Sequence, residues 1–286
     1  MTAAARRGFR PVSTGITVHG AVRSMVHRTT TANVVARLPG SDPALRSQVV
    51  VVGAHWDHHG ITPRPVNGDS ILNGALDNAS GVATILAVAD AFQRAGVRPR
   101  RSILFVSFTA EEKGLLGSQA FAENPPVPAR DIAAILNIDG ANLFGTTRDI
   151  GALGTDQSSL GRTFAEAARA EGLRVTTSEE ALKSGSFFRS DHFPLAKVGV
   201  PGLSFQSGDD FVGKPAGWGR QQHEDYTRLR YHQVGDEILP WYTVDGAIQQ
   251  ARVLVRVAWL VGDAPQQPSW APSSEFRAAG ERRVAR

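Results

Sequence analysis

Three short apolar runs, each followed at once by histidine or carboxylate residues, constrain the fold of this chain more than any other feature. The runs at residues 48–54, 102–109 and 132–138 have the length of strands. The first is a nearly continuous valine run, as expected for a strand buried on both faces. Between the first two runs, residues 80–95 carry apolar side chains at helical spacing and end at Gly96, a helix stop signal. This alternation predicts an α/β fold, with one mixed and mostly parallel central sheet flanked by helices.

The remaining elements follow from the same patterns. Further strands are predicted at residues 33–38, 173–177 and 200–205, and further helices at residues 115–122, 160–171 and about 238–259. Residues 58–73 and 207–222 are rich in Gly, Pro and Asp, which predicts long loops near the functional face.

The domain organisation is predicted from composition along the chain. Residues 1–30 form an N-terminal segment, a possible remnant of a longer N-terminal region, and residues 31–262 form a single catalytic domain. Residues 263–286 are rich in Pro, Ser and Arg, which predicts a mobile tail.

Composition excludes several classes of function. The chain has no cysteine, so any metal must be held by histidine and carboxylate side chains. The formal net charge is +4, but the arginines are scattered along the chain, so we predict no nucleic-acid partner. No uninterrupted apolar run approaches the roughly 18 residues of a membrane span, so none is predicted. The first ten residues lack the apolar centre of a signal peptide, so no export signal is predicted and the localisation is left unknown.

Charged side chains follow the three apolar runs directly. His55 and Asp57 come after the first run, Glu111 and Glu112 after the second, and Asp139 after the third. Open α/β sheets bind ligands in the crevice beyond the carboxyl ends of their strands. We therefore expect these side chains to share one site.

Taken singly, each of these residues has a structural explanation. Asp77, which opens the first helix, would be an ordinary N-cap, and adjacent glutamates often complement a helix dipole. Together with His232, however, they form an ordered series of His, Asp, Glu–Glu, Asp and His. That series supplies the nitrogen and oxygen ligands that zinc prefers and leaves one carboxylate over as a base.

With these residues, the sequence resembles metallopeptidase family 28. This family of co-catalytic zinc aminopeptidases includes bacterial leucyl aminopeptidases and glutamate carboxypeptidase. The resemblance runs from about residue 33 to the final helix and implies the zinc exopeptidase fold. The matching segments are GAHWDH (53–58), NGALDNASG (73–81), TAEEKGLLGS (109–118), NIDG (137–140), SDHFP (190–194) and YHQ (231–233).

The resemblance implies two co-catalytic zinc ions. His55 and Asp139 would hold one ion, Glu112 and His232 the other, and Asp77 would bridge the two. Each ion then has three protein ligands and an open position, as a catalytic site requires.

The resemblance also implies roles for residues beside the ligands. Glu111 would be the general base, taking a proton from a metal-bridging water or hydroxide and passing it to the departing amine. Tyr231 would hydrogen-bond the developing oxyanion, and Asp57 would fix the tautomer of His55. The peptide between Asp77 and Asn78 is expected to be cis.

Other polar residues are given no ligand role. Residues 190–192 match a segment near the substrate cleft of relatives, and Asp236 is interpreted as the N-cap of the last helix. His58 and His59 are interpreted as loop residues. His19, His27 and His223 carry no catalytic signal.

The function that the resemblance implies is an aminopeptidase that hydrolyses N-terminal residues from peptide substrates and requires a free α-amine. Three alternatives are a carboxypeptidase of the same fold, a glutaminyl-peptide cyclotransferase, and a non-catalytic binding relative such as the transferrin receptor. Many relatives carry an export signal and a longer N-terminal region, whereas this chain begins almost at the catalytic domain, which predicts a truncated or minimal member. The preferred side chain, the native metal and the oligomeric state are left open.

Overall fold

The computed structural model describes residues 7–26 and 28–285, which fall into two units, Met1–Thr30 and Thr31–Arg286. The described residues of the first unit form no helix or strand, and apolar side chains such as Val22 are exposed. His27 and the first six residues of the segment considered as a signal peptide lie outside the described part of the chain.

A seven-stranded sheet forms the centre of the second unit, and its strand order is β1-β5-β2-β6-β9-β7-β8. The four central strands β5, β2, β6 and β9 are parallel, whereas β1 and β7 pair antiparallel with β5 and β9. Two further strands, β3 and β4, form a separate antiparallel hairpin. The strands are β1 (Val34–Leu38), β2 (Val49–His55), β3 (Gly60–Val66), β4 (Asp69–Leu72), β5 (Ser102–Phe108), β6 (Ile132–Ile138), β7 (Asp149–Leu153), β8 (Arg174–Thr176) and β9 (Gly202–Ser207). The predicted mixed, mostly parallel α/β sheet is confirmed.

Helices cover both faces of this sheet. They are α1 (Ser80–Ala95), α2 (Leu116–Glu123), α3 (Leu160–Ala170), α4 (Glu179–Lys183), α5 (His192–Lys197), α6 (Trp218–Leu229), α7 (Asp245–Asp263) and α8 (Arg277–Ala285). Val50 and Val52 of β2 belong to the core formed with α1, α3 and α7, whereas Val49 and Val51 belong to the core formed with α2 and α5. Because alternate side chains of a strand face opposite sides, an unbroken valine run fills both cores.

Helix α1 and the turn before it form a long apolar stretch, Ala75–Ala95, with a mean hydropathy of 1.2. By length and composition alone this stretch would suffice to cross a membrane, but half of it is buried inside the protein. Polar and charged residues such as Asp77, Asp90 and Arg94 interrupt the stretch, so it contains no uninterrupted apolar run of the length of a membrane span. We interpret the stretch as a core helix.

Several elements differ from the sequence prediction, and the strand β7 and the short helices α4 and α5 lie in segments for which no element is predicted. The predicted loop at residues 58–73 contains the β3–β4 hairpin, and the predicted loop at 207–222 runs into α6. The last long helix begins at Asp245, seven residues later than predicted. β3 is largely exposed and α6 buries little apolar surface, so neither segment carries the apolar pattern that predicts a strand or a helix. Their Pro, Gly and polar residues instead predict a loop.

The C-terminal segment also differs from the predicted mobile tail. Trp270 is 9% exposed and its Nε1 donates a hydrogen bond to the Gly199 carbonyl at 2.9 Å. Arg283, in α8, is buried and donates to the Ile132 carbonyl at 2.6 Å. The composition of the segment suggested disorder, but a few anchoring side chains are enough to hold it against the domain.

Candidate metal centre

The carboxyl edge of the sheet brings His55, Asp77 and Asp139 together. His55 ends β2, Asp139 follows the neighbouring strand β6, and Asp77 lies in the helical turn before α1. His55 Nε2 is 3.0 Å from Asp139 Oδ1 and 3.2 Å from Asp77 Oδ1. We call His55 and Asp139 the strand-end half of the cluster.

The other predicted ligands meet on the far side of Asp77. Glu112 lies in the turn after β5, and His232 follows α6. His232 Nε2 is 3.2 Å from Glu112 Oε2 and 3.3 Å from Asp77 Oδ2. We call Glu112 and His232 the loop half. Asp77 therefore directs one carboxylate oxygen at each half, which is the arrangement of a bridging ligand.

The turn that carries Asp77 is held in place by Asp236. The Asp77–Asn78 peptide is cis, as predicted. Asp236 accepts hydrogen bonds from the backbone nitrogens of Leu76 at 3.0 Å and Asp77 at 3.1 Å. Tyr226 donates its hydroxyl to the same carboxylate at 3.2 Å. The interpretation of Asp236 as an N-cap is therefore wrong: it is fully buried and orients the turn that carries Asp77.

Asp57 orients the two glutamates. Its carboxylate accepts hydrogen bonds from the backbone nitrogens of Glu111 at 3.0 Å and Glu112 at 3.3 Å. The chain turns at Ala110, whose φ of 53° lies in the left-handed region, so both glutamates can approach one site. His55 Nδ1 donates to the backbone carbonyl of Asp57 at 3.0 Å, while the Asp57 carboxylate is 3.9 Å away. The tautomer of His55 is thus fixed by the carbonyl of Asp57, not by its carboxylate as the resemblance implied.

The charges of the cluster perturb its ionisable groups strongly. Burial, reinforced by the Asp139 carboxylate, raises the pKa of Glu111 to about 9. Burial opposes ionisation of Asp77 too, but hydrogen bonds from His232 and His55 hold its pKa below the ordinary value. Burial lowers the pKa of His55, but Asp139 and Asp77 outweigh it and raise that pKa. Carboxylates this close together stabilise positive charge, whether it is a proton or a metal cation.

His58 and His59, which the sequence predicts to be loop residues, lie beside the loop half. His58 Nδ1 is 2.7 Å from Glu112 Oε1, and His59 Nε2 is 3.1 Å from Glu112 Oε2. Both lie in the loop after β2, as predicted, but their rings turn toward the cluster. Their place in the sequence, three and four residues after His55, was the signal that could have found them.

The residues present fit a zinc site. Among the described residues, three groups of ligand-type side chains lie close enough to share a metal ion. The groups are His55 with Asp77 and Asp139, His59 with Glu112 and His232, and His58 with Asp77 and Glu112. The donors are imidazole nitrogens and carboxylate oxygens, which zinc prefers. Glu112 Oε1 and His59 Nε2 are also buried without a hydrogen-bond partner, so these atoms gain from a cation.

The segment at residues 190–192 lies beside the ligands and belongs to none of these groups. Ser190 donates its hydroxyl to Asp139 Oδ2 at 2.7 Å and so helps to orient that carboxylate. Asp191 and His192 are fully buried, and burial raises the pKa of Asp191 to about 7 and lowers that of His192 to about 4.

A cleft of about 1,460 Å³ opens over the cluster, with Asp77, Glu111, Asp139 and His232 among its lining residues. Tyr231 also lines this cleft, and its ring stacks on that of His232 with 3.7 Å between centroids. Burial raises the pKa of Tyr231 to about 12, so the hydroxyl remains a hydrogen-bond donor at neutral pH.

The cleft wall contains a further histidine, His223, which carries no catalytic signal in the sequence. It lies 3.0 Å from the Ser207 hydroxyl and 3.0 Å from an Asp209 carboxylate oxygen, outside the metal cluster.

A second cavity, of about 960 Å³, lies between α1, α3 and α7. It is lined largely by alanine, valine and other apolar side chains, and none of the cluster residues lines it. The polar cleft is therefore the candidate active site.

Comparison with known proteins agrees with this geometry. The family model described as "Peptidase family M28" matches residues 33–254. A probable zinc metalloprotease of Pyrenophora tritici-repentis is 29% identical over 267 residues, which cover 82% of this chain and 58% of that protein. Leupeptin-inactivating enzyme 1 of Streptomyces exfoliatus is 31% identical over 212 residues, which cover 72% of this chain and 43% of that protein. The chain thus spans about half the length of these curated relatives.

Solved structures agree at the level of the fold. The crystal structure of a zinc aminopeptidase from Bacillus subtilis superposes with a TM-score of 0.56 at 21% identity. The match covers 86% of this chain and 52% of that one.

Proposed function

The chain belongs to peptidase family M28, and we propose on this premise that it is a zinc-dependent aminopeptidase that hydrolyses N-terminal residues from peptides. The proposal rests on the position of the Asp77 carboxylate. One of its oxygens faces His55 and the other faces His232. The names of similar proteins, among them a zinc aminopeptidase and a leupeptin-inactivating enzyme, support the same activity.

We propose that the site holds two zinc ions. The strand-end half would hold one ion, the loop half the other, and Asp77 would be shared. Zinc bound there would supply Lewis acidity, which acidifies water and polarises the peptide carbonyl. Of the three groups of possible ligands, the one around His55 and the one around His232 lie on opposite sides of the Asp77 carboxylate, which supports this count.

Glu111 would act as the general base. It lines the cleft beside the ligands, and it belongs to none of the three metal-binding groups among the described residues. Its carboxylate would accept a proton from the attacking water and return it to the amine that leaves. Metal cations bound to the neighbouring ligands would lower the raised pKa of Glu111 toward neutral pH. A general base is most effective when its pKa lies near the working pH.

Two further features of the cleft suit a peptide with a free N-terminus. Carboxylates at the base of the cleft favour a protonated α-amine there. The Tyr231 hydroxyl, kept protonated by its raised pKa, would donate a hydrogen bond to the oxygen of the scissile carbonyl as negative charge develops.

A direct test uses the zinc-reconstituted chain with three matched peptides: one free at both ends, one N-acetylated and one C-terminally amidated. An aminopeptidase should release the N-terminal residue from the first and third peptides and leave the acetylated one intact. Release of the C-terminal residue from the acetylated peptide would instead identify a carboxypeptidase. Loss of ammonia from an N-terminal glutamine, with no peptide cleavage, would identify a cyclotransferase.

Metal analysis of the same protein tests the proposed stoichiometry. The zinc content should approach two equivalents per chain at saturation. A maximum of one equivalent would contradict the shared role of Asp77, and zinc binding without turnover of any peptide would favour a non-catalytic relative.

A further inference from the structure

The two halves of the metal cluster are unequally supplied with imidazole groups. The strand-end half has one, His55, whereas three imidazole rings surround Glu112 in the loop half. We propose that His59 is a sixth metal ligand, which together with Glu112, His232 and Asp77 gives the loop half four protein ligands. This inference rests on the proposed two-zinc site and deepens it.

The separations between donor atoms support His59 as a ligand. Ligand atoms around a tetrahedral zinc with bonds of about 2.0–2.1 Å lie about 3.3 Å apart. In the loop half, Glu112 Oε2 is 3.1 Å from His59 Nε2 and 3.2 Å from His232 Nε2, and His232 Nε2 is 3.3 Å from Asp77 Oδ2. These three separations match edges of such a tetrahedron, and they join His59, Glu112, His232 and Asp77 in a continuous chain of neighbouring donor atoms.

The close contacts of His59 are not hydrogen bonds. His59 Nε2 is buried and makes no hydrogen bond, although it lies 3.1 Å from a carboxylate oxygen. The His59 and His232 rings meet edge to face with 4.2 Å between centroids. A buried ring nitrogen that approaches an oxygen without hydrogen-bond alignment is expected where both atoms point at a common cation.

His58 is the competing candidate. Its Nδ1 approaches the other carboxylate oxygen, Glu112 Oε1, at 2.7 Å, and both of its ring nitrogens are likewise buried without a hydrogen-bond partner. Among the described residues, His58 shares a metal-binding group with Asp77 and Glu112, whereas His59 shares one with Glu112 and His232. We assign the ligand role to His59 because it shares both an oxygen and a metal-binding group with His232.

A fourth protein ligand would make the two halves chemically different. Structural zinc sites have four protein ligands, whereas catalytic sites keep one position open. The strand-end half, with His55, Asp139 and the shared Asp77, would keep the open position for substrate. The loop half would bind zinc more tightly and hold Asp77 in place.

The test measures metal binding of the full-length chain, with no reliance on activity. Metal-free wild type, His59→Ala, His59→Gln, His58→Ala and His223→Ala are titrated with Zn²⁺ by calorimetry. Wild type should show two classes of site. In both His59 variants the zinc affinity of the tighter class of site should fall by about 10–100-fold or more. A loss of about 10–100-fold is typical when a residue that hydrogen-bonds to a metal ligand is removed. His223→Ala is the matched control and should bind like wild type, because His223 lies outside the cluster.

X-ray absorption on protein loaded with one equivalent of zinc provides an independent reading. It should detect two imidazoles per zinc in wild type and one in His59→Gln, and circular dichroism should show that both proteins are folded. Unchanged affinity and imidazole count in the His59 variants would overturn the proposal and leave the two-zinc aminopeptidase standing. Loss of the tighter site in His58→Ala alone would also overturn it. Wild type that binds no zinc at all would instead overturn the proposed function.

Discussion

The two halves of the metal cluster are built by different means. His55 and Asp139 lie at the ends of β2 and β6, which pair in parallel in the middle of the sheet. The sheet register alone therefore sets their spacing. Glu112 and His232 lie outside any strand or helix, and His232 has a φ of 58°, in the left-handed region.

The loop half consequently takes the position of its backbone from neighbouring side chains, whereas the supports of the strand-end half, Ser190 and the Asp57 carbonyl, orient side chains whose backbone the sheet already places. The Asp57 carboxylate holds the backbone of Glu111 and Glu112, and Asp236 holds the turn of Asp77, which faces both halves. A ligand at the end of a strand is held in place by the rigid sheet, whereas a ligand on a turn must be positioned by neighbouring side chains. We expect substitutions at the supports to reveal this difference.

The largest expected effect separates the neighbours Glu111 and Glu112. Glu111→Gln removes the proposed base but no ligand, so turnover should fall about 10²–10⁴-fold while zinc content stays near that of wild type. Glu112→Ala should lose zinc from the loop half only. Steady-state kinetics and metal analysis of both variants make the comparison. Near-normal turnover in Glu111→Gln would exclude Glu111 as the base, and full zinc occupancy in Glu112→Ala would exclude Glu112 as a ligand.

Tyr231→Phe should have the next largest effect. It removes the hydroxyl but keeps the ring that stacks on His232. Loss of one oxyanion donor typically costs about 10²–10³-fold in kcat, so the decrease should appear in kcat with zinc affinity unchanged. If zinc binding fell along with kcat, Tyr231 would be a support of the loop half and not an oxyanion donor.

Asp57→Asn should have a smaller effect, confined to the loop half. The amide that replaces the carboxylate can accept only through one oxygen, so one of the two backbone hydrogen bonds to the glutamates is weakened. Changes of this kind typically cost about 10–100-fold in metal affinity or activity. Calorimetric zinc titration should show weakening of one class of site only. Equal weakening of both classes would mean that the two halves are not independently supported.

Trp270→Phe should have the smallest effect and gives a reference outside both halves. It keeps an aromatic ring in the buried C-terminal segment but removes the hydrogen bond to the Gly199 carbonyl. The free energy of unfolding should fall by about 1 kcal/mol, which is the typical net contribution of such a hydrogen bond to stability. The kcat and the zinc content should stay unchanged. Denaturant unfolding measures the first quantity. An unchanged unfolding free energy would indicate that the segment contributes little to the stability of the domain.

The sequence by itself determined the central strands of the sheet and the predicted ligands at their ends. Apolar runs and helical spacing are local properties, so they predicted β2, β5, β6 and α1 with ends within a few residues. Because parallel strands end at a common edge, the sequence alone was enough to place the residues that follow them in one site. The strand-end half follows directly from this reasoning.

Only the tertiary structure decided the supports and the C-terminal segment. Asp236 reaches Asp77 across 159 positions of the chain, and Arg283 reaches the Ile132 carbonyl across 151. Their neighbours in the sequence carry no sign of these partners, so Asp236 resembled a helix cap and Arg283 resembled part of a polar tail. His58 and His59 were missed for the same reason, since a histidine in a loop becomes a candidate ligand only when folding brings Glu112 to it. Local patterns set which segments fold into strands and helices, while the partner of a buried polar group depends on how those segments pack.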